Sequence, residues 1–266
     1  MFAEERHNRI MELINSGHPV KVVELSLFFT VSEATIRRDL SELESLGLLQ
    51  RTHGGAVALQ PSLEPSFHER EVFLLDEKRQ IALTAAQMVE DGETILLDAG
   101  TTTREIARAL CGKRLTVATN SMDVAFIFAE EPNIEVLLLG GSWRKSINSL
   151  VGPLTNSMLK LFCFDKVFLG ANAVDCTLGA TTPTLVEAET KRAMIQAAKT
   201  AILVVDHSKF QHKAFAKICS LHEVSMIITD SGIDEDTLNS LRDHTQVLIS
   251  EPSLQQKGVD RIEQLS

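Results

Sequence analysis

The chain has 266 residues, of which 44% are hydrophobic and 23% are charged, and its formal net charge is −10. This length suits one large domain or a small domain joined to a larger one, and the composition is that of a globular protein. The excess of acidic residues excludes a protein that coats nucleic acid non-specifically, so any DNA-binding surface must be local.

The N-terminal sequence, MFAEERHNRI, is charged and lacks the apolar stretch of a signal peptide, and the apolar runs are too short to span a bilayer. We therefore expect a cytoplasmic protein that does not enter a membrane. The cysteines are widely scattered and form no CxxC pair, which favours reduced, packed thiols over a disulfide framework or a zinc site. No metal ion and no cofactor are expected.

The first 58 residues have the apolar spacing that predicts helices. One helix precedes the sequence GHP, and a second covers roughly Val22 to Phe29. Ser32 is a good N-cap for a third helix, which we expect to end at about Gly47. The sequence LLQRTHGGAVAL follows and predicts a β-hairpin with a Gly-Gly turn. Helix, helix, turn, helix and hairpin is the order of a winged helix-turn-helix.

The third helix separates into two faces on a helical wheel. Ile36, Leu40 and Leu43 share the face that we expect to be buried. We predict that the opposite face, its flanks and the hairpin contact DNA through Ser32, Ala34, Thr35, Arg37, Arg38, Ser41, Arg51 and His53. Small residues let a helix enter the major groove, and arginine reads guanine or binds phosphate.

Two alternatives remain open for this segment. In the first, the helix is merely solvated, and Arg37 and Arg38 pair with Glu33, Asp39 or Glu42. In the second, the winged helix binds another protein instead of DNA, and the C-terminal part of the chain is only a dimerisation module.

The rest of the chain has a different pattern. Residues 59–77 contain Pro61 and Pro65 and are predicted to be a linker. From Lys78 onward, the apolar runs TILLD, LTVAT, IEVLLLG, KVFLG, AILVVD, SMIITD and QVLI mostly alternate with helical stretches. The helical stretches are Gln80–Glu90, Thr103–Leu110, Met122–Glu130, Leu185–Ala198 and Asp234–Leu241. This alternation predicts an α/β domain with a largely parallel sheet over residues 78–255, followed by a tail of residues 256–266.

Polar residues follow the predicted strands and suggest a binding site. After Asp98, Gly100 permits a tight turn, and three threonines then open a helix whose free N–H groups favour a phosphate. The residues that we predict to bind an effector are Asp98, Gly100, Thr101, Thr102, Thr103, Thr119, Asn120, Ser121, Gly140, Gly141, Glu187, Lys191, Asp206 and Lys209. Lysine neutralises a phosphate, whereas carboxylates and asparagine bind sugar hydroxyls. For each of the last four residues, an ordinary salt bridge explains the residue type equally well.

The segment from Glu5 to Val57 resembles the N-terminal domain of the DeoR family of bacterial transcriptional regulators, most specifically in TIRRDL and RTHGGA. The resemblance continues through LLDAGTTT, TNS, LGG, FLGANAV, VDHSKF and IITD, and so covers nearly the whole chain. It implies a helix-turn-helix over Val20 to Asp39 in a DNA-binding domain of residues 1–58. For residues 78–255 it implies an effector-sensing and oligomerisation domain with a fold like that of ribose-5-phosphate isomerase.

In function, the resemblance implies a repressor of a carbohydrate-catabolism operon that binds double-stranded operator DNA and is released by a phosphorylated sugar. Paired half-sites match a homo-oligomer, either a dimer or a tetramer. The implied fold also raises an alternative, a sugar-phosphate isomerase joined to a DNA-binding domain, with Glu187 or Asp98 as its base. We favour the regulator because the sequence shows no second feature that requires catalysis.

Overall fold

The computed structural model describes residues 3–15, 20–45, 48–52, 54–57 and 67–250. The chain divides into an N-terminal unit, Met1–Phe73, and a C-terminal unit, Leu74–Ser266. The predicted tail of residues 256–266 lies outside the described residues. In the described part of the chain, no helix is long and apolar enough to cross a membrane.

The N-terminal unit has the order of elements that the sequence predicts. These elements are α1 (Ala3–Asn15), β1 (Val20–Lys21), α2 (Val22–Phe29), α3 (Glu33–Ser45), β2 (Gln50–Thr52), β3 (Gly55–Val57) and α4 (Phe67–Val72). The three strands form one antiparallel sheet in the order β1-β3-β2, so β1 adds a short strand to the predicted hairpin.

The apolar faces of α1, α2 and α3 meet in one core. Ile36, Leu40 and Leu43 of α3 are buried there, as the helical wheel predicts. The turn between α2 and α3 depends on Thr30, which adopts a left-handed conformation with φ of 55°. This conformation ends α2, and the Thr30 and Val31 N–H groups donate to carbonyls of its last turn.

The C-terminal unit alternates strands and helices. Its first half contains α5 (Leu75–Gln87), β4 (Thr94–Leu97), α6 (Thr101–Leu110), β5 (Leu115–Thr119), α7 (Met122–Ile127), β6 (Ile134–Leu138), β7 (Ser142–Arg144), β8 (Ser149–Val151) and α8 (Pro153–Leu159). Its second half contains β9 (Phe164–Leu169), β10 (Ala173–Asp175), β11 (Gly179–Thr182), α9 (Leu185–Gln196), β12 (Ala198–Val204), β13 (Ala216–Cys219), β14 (Met226–Thr229), α10 (Glu235–Arg242) and β15 (Gln246–Ile249).

Seven of the described strands form a parallel sheet in the order β15-β14-β12-β9-β4-β5-β6. Apolar clusters cover both of its faces: Ile95 and Leu97 of β4 belong to one cluster and Leu96 to the other. Burial on both faces explains why these strands are continuous apolar runs in the sequence. The predicted α/β fold with a largely parallel sheet is confirmed.

Two smaller antiparallel features flank this sheet and were not predicted. Strands β10, β11 and β13 form a three-stranded sheet, and β7 pairs with β8 in a hairpin. Their strands have only three or four residues, too few to show a clear alternation of apolar and polar residues.

The structure differs from the sequence-based expectation in the segment predicted to be a linker. Helix α4 lies within residues 59–77, and α5 begins at Leu75, five residues before the predicted helix start. The buried face of α5 includes Lys78, and a charged residue at a core position hides the helical periodicity. Helix α7 ends at Ile127, three residues before the predicted end.

Candidate functional site

Helix α3 of the N-terminal unit presents the face that the sequence assigns to DNA. The Ser32 hydroxyl caps the helix by accepting a hydrogen bond from the Thr35 N–H at 3.1 Å. Ala34 and Ser41 are exposed, while Thr35 is half-buried. The cap and the buried face together fix which residues of α3 point into solvent.

The two arginines of this face differ in their surroundings. Arg37 Nη2 donates to Glu33 Oε2 at 3.1 Å, in an exposed pair one helical turn long. Arg38 is exposed, and its guanidinium has no hydrogen-bond or ion-pair partner among the described residues. The solvated-helix alternative is therefore correct for the pairing of Arg37, whereas Arg38 is free to contact a ligand. Asp39, which that alternative offered as a partner, is buried and bonds to Arg6 instead.

The hairpin beside α3 is attached to the helix through Glu44. Its carboxylate accepts from the Arg51 backbone N–H at 3.1 Å, and Arg51 Nη1 lies 3.9 Å away from it. The Arg51 side chain is thus held beside the C-terminal half of α3. His53, the other residue predicted on the hairpin, lies outside the described residues.

In the C-terminal unit, strand order locates a crevice. Strand β4 pairs with β5 on one side and with β9 on the other, and the chain builds the sheet outward in both directions from this point. Ligands of open α/β sheets bind outside the carboxyl ends of the strands at such a switch point. Asp98 follows β4 and Gly170 follows β9, so these two residues line the crevice.

Asp98 is buried and paired with Lys191, which comes from α9, 93 residues away in sequence. Gly170 completes the group: its N–H donates to Asp98 Oδ2 at 3.1 Å, and its carbonyl accepts from Lys191 Nζ at 3.1 Å. Burial raises the pKa of Asp98, while the charge and the hydrogen bond of Lys191 act in the opposite direction. The structure therefore brings two predicted site residues into direct contact at the switch point.

Helix α6 begins at the same crevice. Gly100 is its N-cap, and no side chain caps the helix there. The Thr103 hydroxyl lies 2.6 Å from the Asp98 carbonyl and 3.0 Å from the Gly100 carbonyl, so it is used within the loop. The hydroxyls of Thr101 and Thr102 have no partner among the described residues. The first-turn N–H groups thus present an uncapped positive helix end to the crevice.

A second polar group surrounds Glu187 at the start of α9. Arg144 Nε lies 3.3 Å from Glu187 Oε1, and Arg144 Nη1 donates to the Thr184 hydroxyl at 2.8 Å. The Thr182 hydroxyl lies 3.0 Å both from Glu187 Oε2 and from Asn172 Oδ1. Glu187 and Lys191 are one helical turn apart, so the two polar groups share one face of α9.

The remaining predicted residues lie at the same sheet edge, but they differ in how many of their polar atoms already have a hydrogen-bond partner. Thr119 donates to the Leu97 carbonyl at 2.7 Å, and Ser121 caps α7. The Asn120 amide donates to the Leu150 carbonyl at 3.0 Å, while its Oδ1 is buried without a partner. The Gly140 carbonyl accepts a hydrogen bond from the Thr155 hydroxyl at 2.7 Å, and the same hydroxyl leaves no room for a Cβ on Gly141. These contacts give Thr119, Ser121 and Gly141 a role in the fold, and their assignment to an effector stays a prediction.

Asp206 and Lys209 stand at the end of β12, next to β9. Asp206 is buried: one carboxylate oxygen accepts from Ser208, and Oδ2 has no partner in the described structure. Lys209 is half-buried and makes no ion pair with any described residue. Each of these two side chains thus has a polar atom without a partner among the described residues.

Sequence reasoning missed five residues of this site, namely Arg144, Gly170, Asn172, Thr182 and Thr184. Gly170 and Asn172 stand in the segment FLGANAV quoted above, and Thr182 and Thr184 stand in LGATTPT, residues 178–184, so a signal was present in glycine-containing and threonine-containing strand ends. Arg144 had no such signal, because it reaches α9 from the unpredicted β7–β8 hairpin.

Comparisons with known proteins cover both units. Residues 6–62 match the model of the DeoR-like helix-turn-helix domain, and residues 75–231 match that of the DeoR C terminal sensor domain. The chain is 42% identical to the HTH-type transcriptional regulator GlpR of Haloferax volcanii, over 89% of this chain and 93% of that protein. It is 38% identical to the uncharacterized HTH-type transcriptional regulator YulB of Bacillus subtilis, over 97% and 100%.

The chain is also 34% identical to the glycerol-3-phosphate regulon repressor of Escherichia coli K12, over 90% of this chain and 96% of that protein. Among solved structures, ribose 5-phosphate isomerase A of Methanocaldococcus jannaschii matches 51% of this chain and 54% of its own, at 19% identity and a TM-score of 0.38. A likeness of that degree assigns neither an activity nor a ligand to the chain.

Proposed function

Because the chain belongs to the DeoR family of transcriptional regulators, we propose that it is a repressor that a phosphorylated sugar releases from its operator. The exposed face of α3 reads the DNA, with Arg38 as its main base-reading residue and Arg51 on a phosphate. The crevice at the carboxyl ends of β4, β9 and β12 binds the effector. Such a regulator works where the chromosome is, so we place it in the cytoplasm.

The uncapped N-terminus of α6, together with the unpaired ammonium of Lys209, carries the proposal for the effector. Free N–H groups at a helix start bind phosphate, and a lysine supplies the countercharge. The free Oδ2 of Asp206 and the polar group around Glu187 supply acceptors for sugar hydroxyls. A ligand with an anionic end and a hydroxyl-rich end matches this arrangement.

The relatives favour sensing over catalysis. Proteins that match the chain over both units are named as regulators and repressors, and one of them is named for a glycerol-3-phosphate regulon. Binding alone is sufficient for a sensor, because an effector shifts the protein between two states only through its differential affinity for them. The isomerase alternative has no comparable support.

Thermal unfolding of the full chain tests the sensor. The ligands are a panel of sugar phosphates, the parent sugars and inorganic phosphate. We expect one sugar phosphate at 100 times its Kd to stabilise the protein by about 2.7 kcal/mol. Lys209→Ala should abolish the shift and retain DNA binding, whereas Lys199→Ala, at the start of β12, is the matched control and should keep the shift. A panel without any shift contradicts the sensor, and product formation supports the isomerase.

Selection of duplexes from a random library tests DNA binding. We expect a site of two related halves, which would also indicate a symmetric dimer or tetramer. Arg38→Ala should weaken binding to the selected duplex by about 1–3 kcal/mol. Arg37→Ala, which removes an already paired arginine, should cost less. A wild-type protein that enriches no duplex would support the protein-binding alternative.

A further inference from the structure

The buried face of α3 carries one carboxylate, Asp39. Its side chain is only 5% exposed, and the neighbouring Ile36 and Leu40 are fully buried. A carboxylate in such a position loses its hydration and is tolerated only if it is paired and hydrogen-bonded. DNA cannot contact it there, so its role must be exerted inside the N-terminal unit.

Two adjacent residues of α1 satisfy this carboxylate. Arg6 binds it with two nitrogens: Nε donates to Oδ2 at 2.5 Å, and Nη2 donates to Oδ1 at 2.9 Å. His7 Nε2 donates to Oδ1 at 3.1 Å, since an ionised carboxylate can only accept. We call these three residues the clasp. Burial acts to raise the pKa of Asp39, but the hydrogen bonds and charges of Arg6 and His7 hold it below its ordinary value.

A buried ion pair of this kind is weak evidence for stability, because apolar residues of similar volume often stabilise a protein as well or better. What the clasp adds is a defined orientation of α3 relative to α1. Apolar contacts between α1 and α3 permit small rotations, whereas a two-nitrogen fork on a carboxylate fixes both distance and orientation. Exposed pairs, such as Arg9 with Glu12 on the same helix α1, impose no such constraint on α3.

We propose that Asp39 is a positioning residue for DNA reading: the clasp fixes the rotation of α3 about its axis and thereby aims Arg38. The two residues are adjacent, so a rotation of α3 moves both together. A rotation of about 20° displaces groups at the helix surface, about 6 Å from the axis, by roughly 2 Å. That exceeds the tolerance of about 0.5 Å for a preorganised binding group. The inference rests on the DNA-binding part of the proposed function.

Three variants of the full chain test it, with the duplex selected by the wild type and an unrelated duplex of equal length, at one salt concentration. Arg6→Met/Asp39→Leu replaces the clasp by apolar residues. Arg6→Lys keeps the charge but cannot form the fork. Arg9→Met/Glu12→Leu is the matched control on α1.

We expect both clasp variants to bind the selected duplex at least tenfold more weakly, which is 1.4 kcal/mol. Binding to the unrelated duplex should stay within twofold, and the control should match the wild type on both. Denaturant unfolding confirms that each variant is folded, and if the apolar pair does not fold, Arg6→Lys decides. A folded clasp variant with wild-type affinity for the selected duplex overturns this proposal alone. A wild type that prefers no duplex overturns it together with the proposed function.

Discussion

Gly55→Ala should disrupt the three-stranded sheet β1-β3-β2 of the N-terminal unit, whereas Gly54→Ala next to it should not. A Cβ on Gly55 would lie 1.8 Å from the Val20 carbonyl oxygen and 2.9 Å from Lys21 Cα. Ordinary contact begins at 3.4 Å, so the strands would have to separate by about 1.6 Å. A Cβ on Gly54 meets no atom of the described residues within 4 Å. The two neighbouring glycines therefore form a matched pair.

The expected loss in the free energy of unfolding follows from the strand pairing that the separation would break. Val20 and Lys21 of β1 pair with Ala56 and Gly55 of β3, and this pairing would be lost. Overpacking typically costs about 1–3 kcal/mol, and each lost backbone hydrogen bond adds about 0.5–1.5 kcal/mol. We expect a loss of about 2–5 kcal/mol for Gly55→Ala and a change within about 0.5 kcal/mol for Gly54→Ala.

Denaturant unfolding of the full chain, followed by two probes, measures the difference. The single tryptophan, Trp143, lies in the C-terminal unit, so its fluorescence reports on that unit, whereas circular dichroism reports on the helices of both. In Gly55→Ala the dichroism should show an earlier transition, while the fluorescence midpoint is retained. Equal dichroism curves for the two glycine variants would refute the reasoning.

Three further predictions concern the C-terminal unit. Lys191→Met leaves Asp98 buried without its countercharge and should lower the free energy of unfolding by about 3–5 kcal/mol. Adding Asp98→Asn should restore part of the lost stability. A double variant that recovers no stability would contradict the pairing of Asp98 with Lys191. Burial, assisted by the charge of Glu223, raises the pKa of the Cys219 thiol to about 11. Mass spectrometry after iodoacetamide treatment at pH 8 should therefore find the exposed Cys163 labelled and the buried Cys219 unlabelled. Equal labelling of the two cysteines would contradict this prediction. Hydrogen bonds, first from the Thr177 side chain, lower the pKa of Asp175 to about 2. The ionised Asp175 therefore stabilises the fold above its unfolded-state pKa of about 3.9, and this contribution is lost as the pH falls through 2. Asp175→Asn should flatten the fall in the free energy of unfolding between pH 4 and pH 2, and parallel curves for variant and wild type would contradict this role of Asp175.

The elements that were predicted well are those whose burial fixes their residue pattern. The inner strands of the parallel sheet carry buried apolar residues on both faces and appear as apolar runs, and α2 was predicted with its observed bounds, Val22–Phe29. The start of α5 was missed because Lys78 occupies a core position. The short strands β7, β8 and β10 pair locally, β7 with β8 and β10 with β11, but three residues are too few to show the alternation of apolar and polar residues that predicts a strand.

The crevice shows the same division. Asp98 and the threonines after it were predicted because a strand, a glycine and a helix start follow each other directly in the sequence. The contact of Asp98 with Lys191 spans 93 residues and depends on where α9 crosses the sheet. Arg144 could not be predicted, because its contact with Glu187 requires the β7–β8 hairpin to fold over the start of α9. Sequence periodicity specifies elements, whereas such contacts depend on how the elements pack.

The acidic net charge and DNA binding are compatible because the N-terminal unit neutralises most of its own arginines. In the part of this unit that the structure describes, the paired arginines include Arg6 with Asp39, Arg9 with Glu12, Arg37 with Glu33 and Arg51 with Glu44. Paired arginines contribute little to the attraction of phosphates, so one copy should bind unrelated DNA weakly. If Arg38 reads bases and the protein is an oligomer, as proposed above, affinity for an operator comes from the base contacts of Arg38 and from two copies acting on paired half-sites. An effector that changes the spacing of the two copies would therefore release the protein without touching either α3.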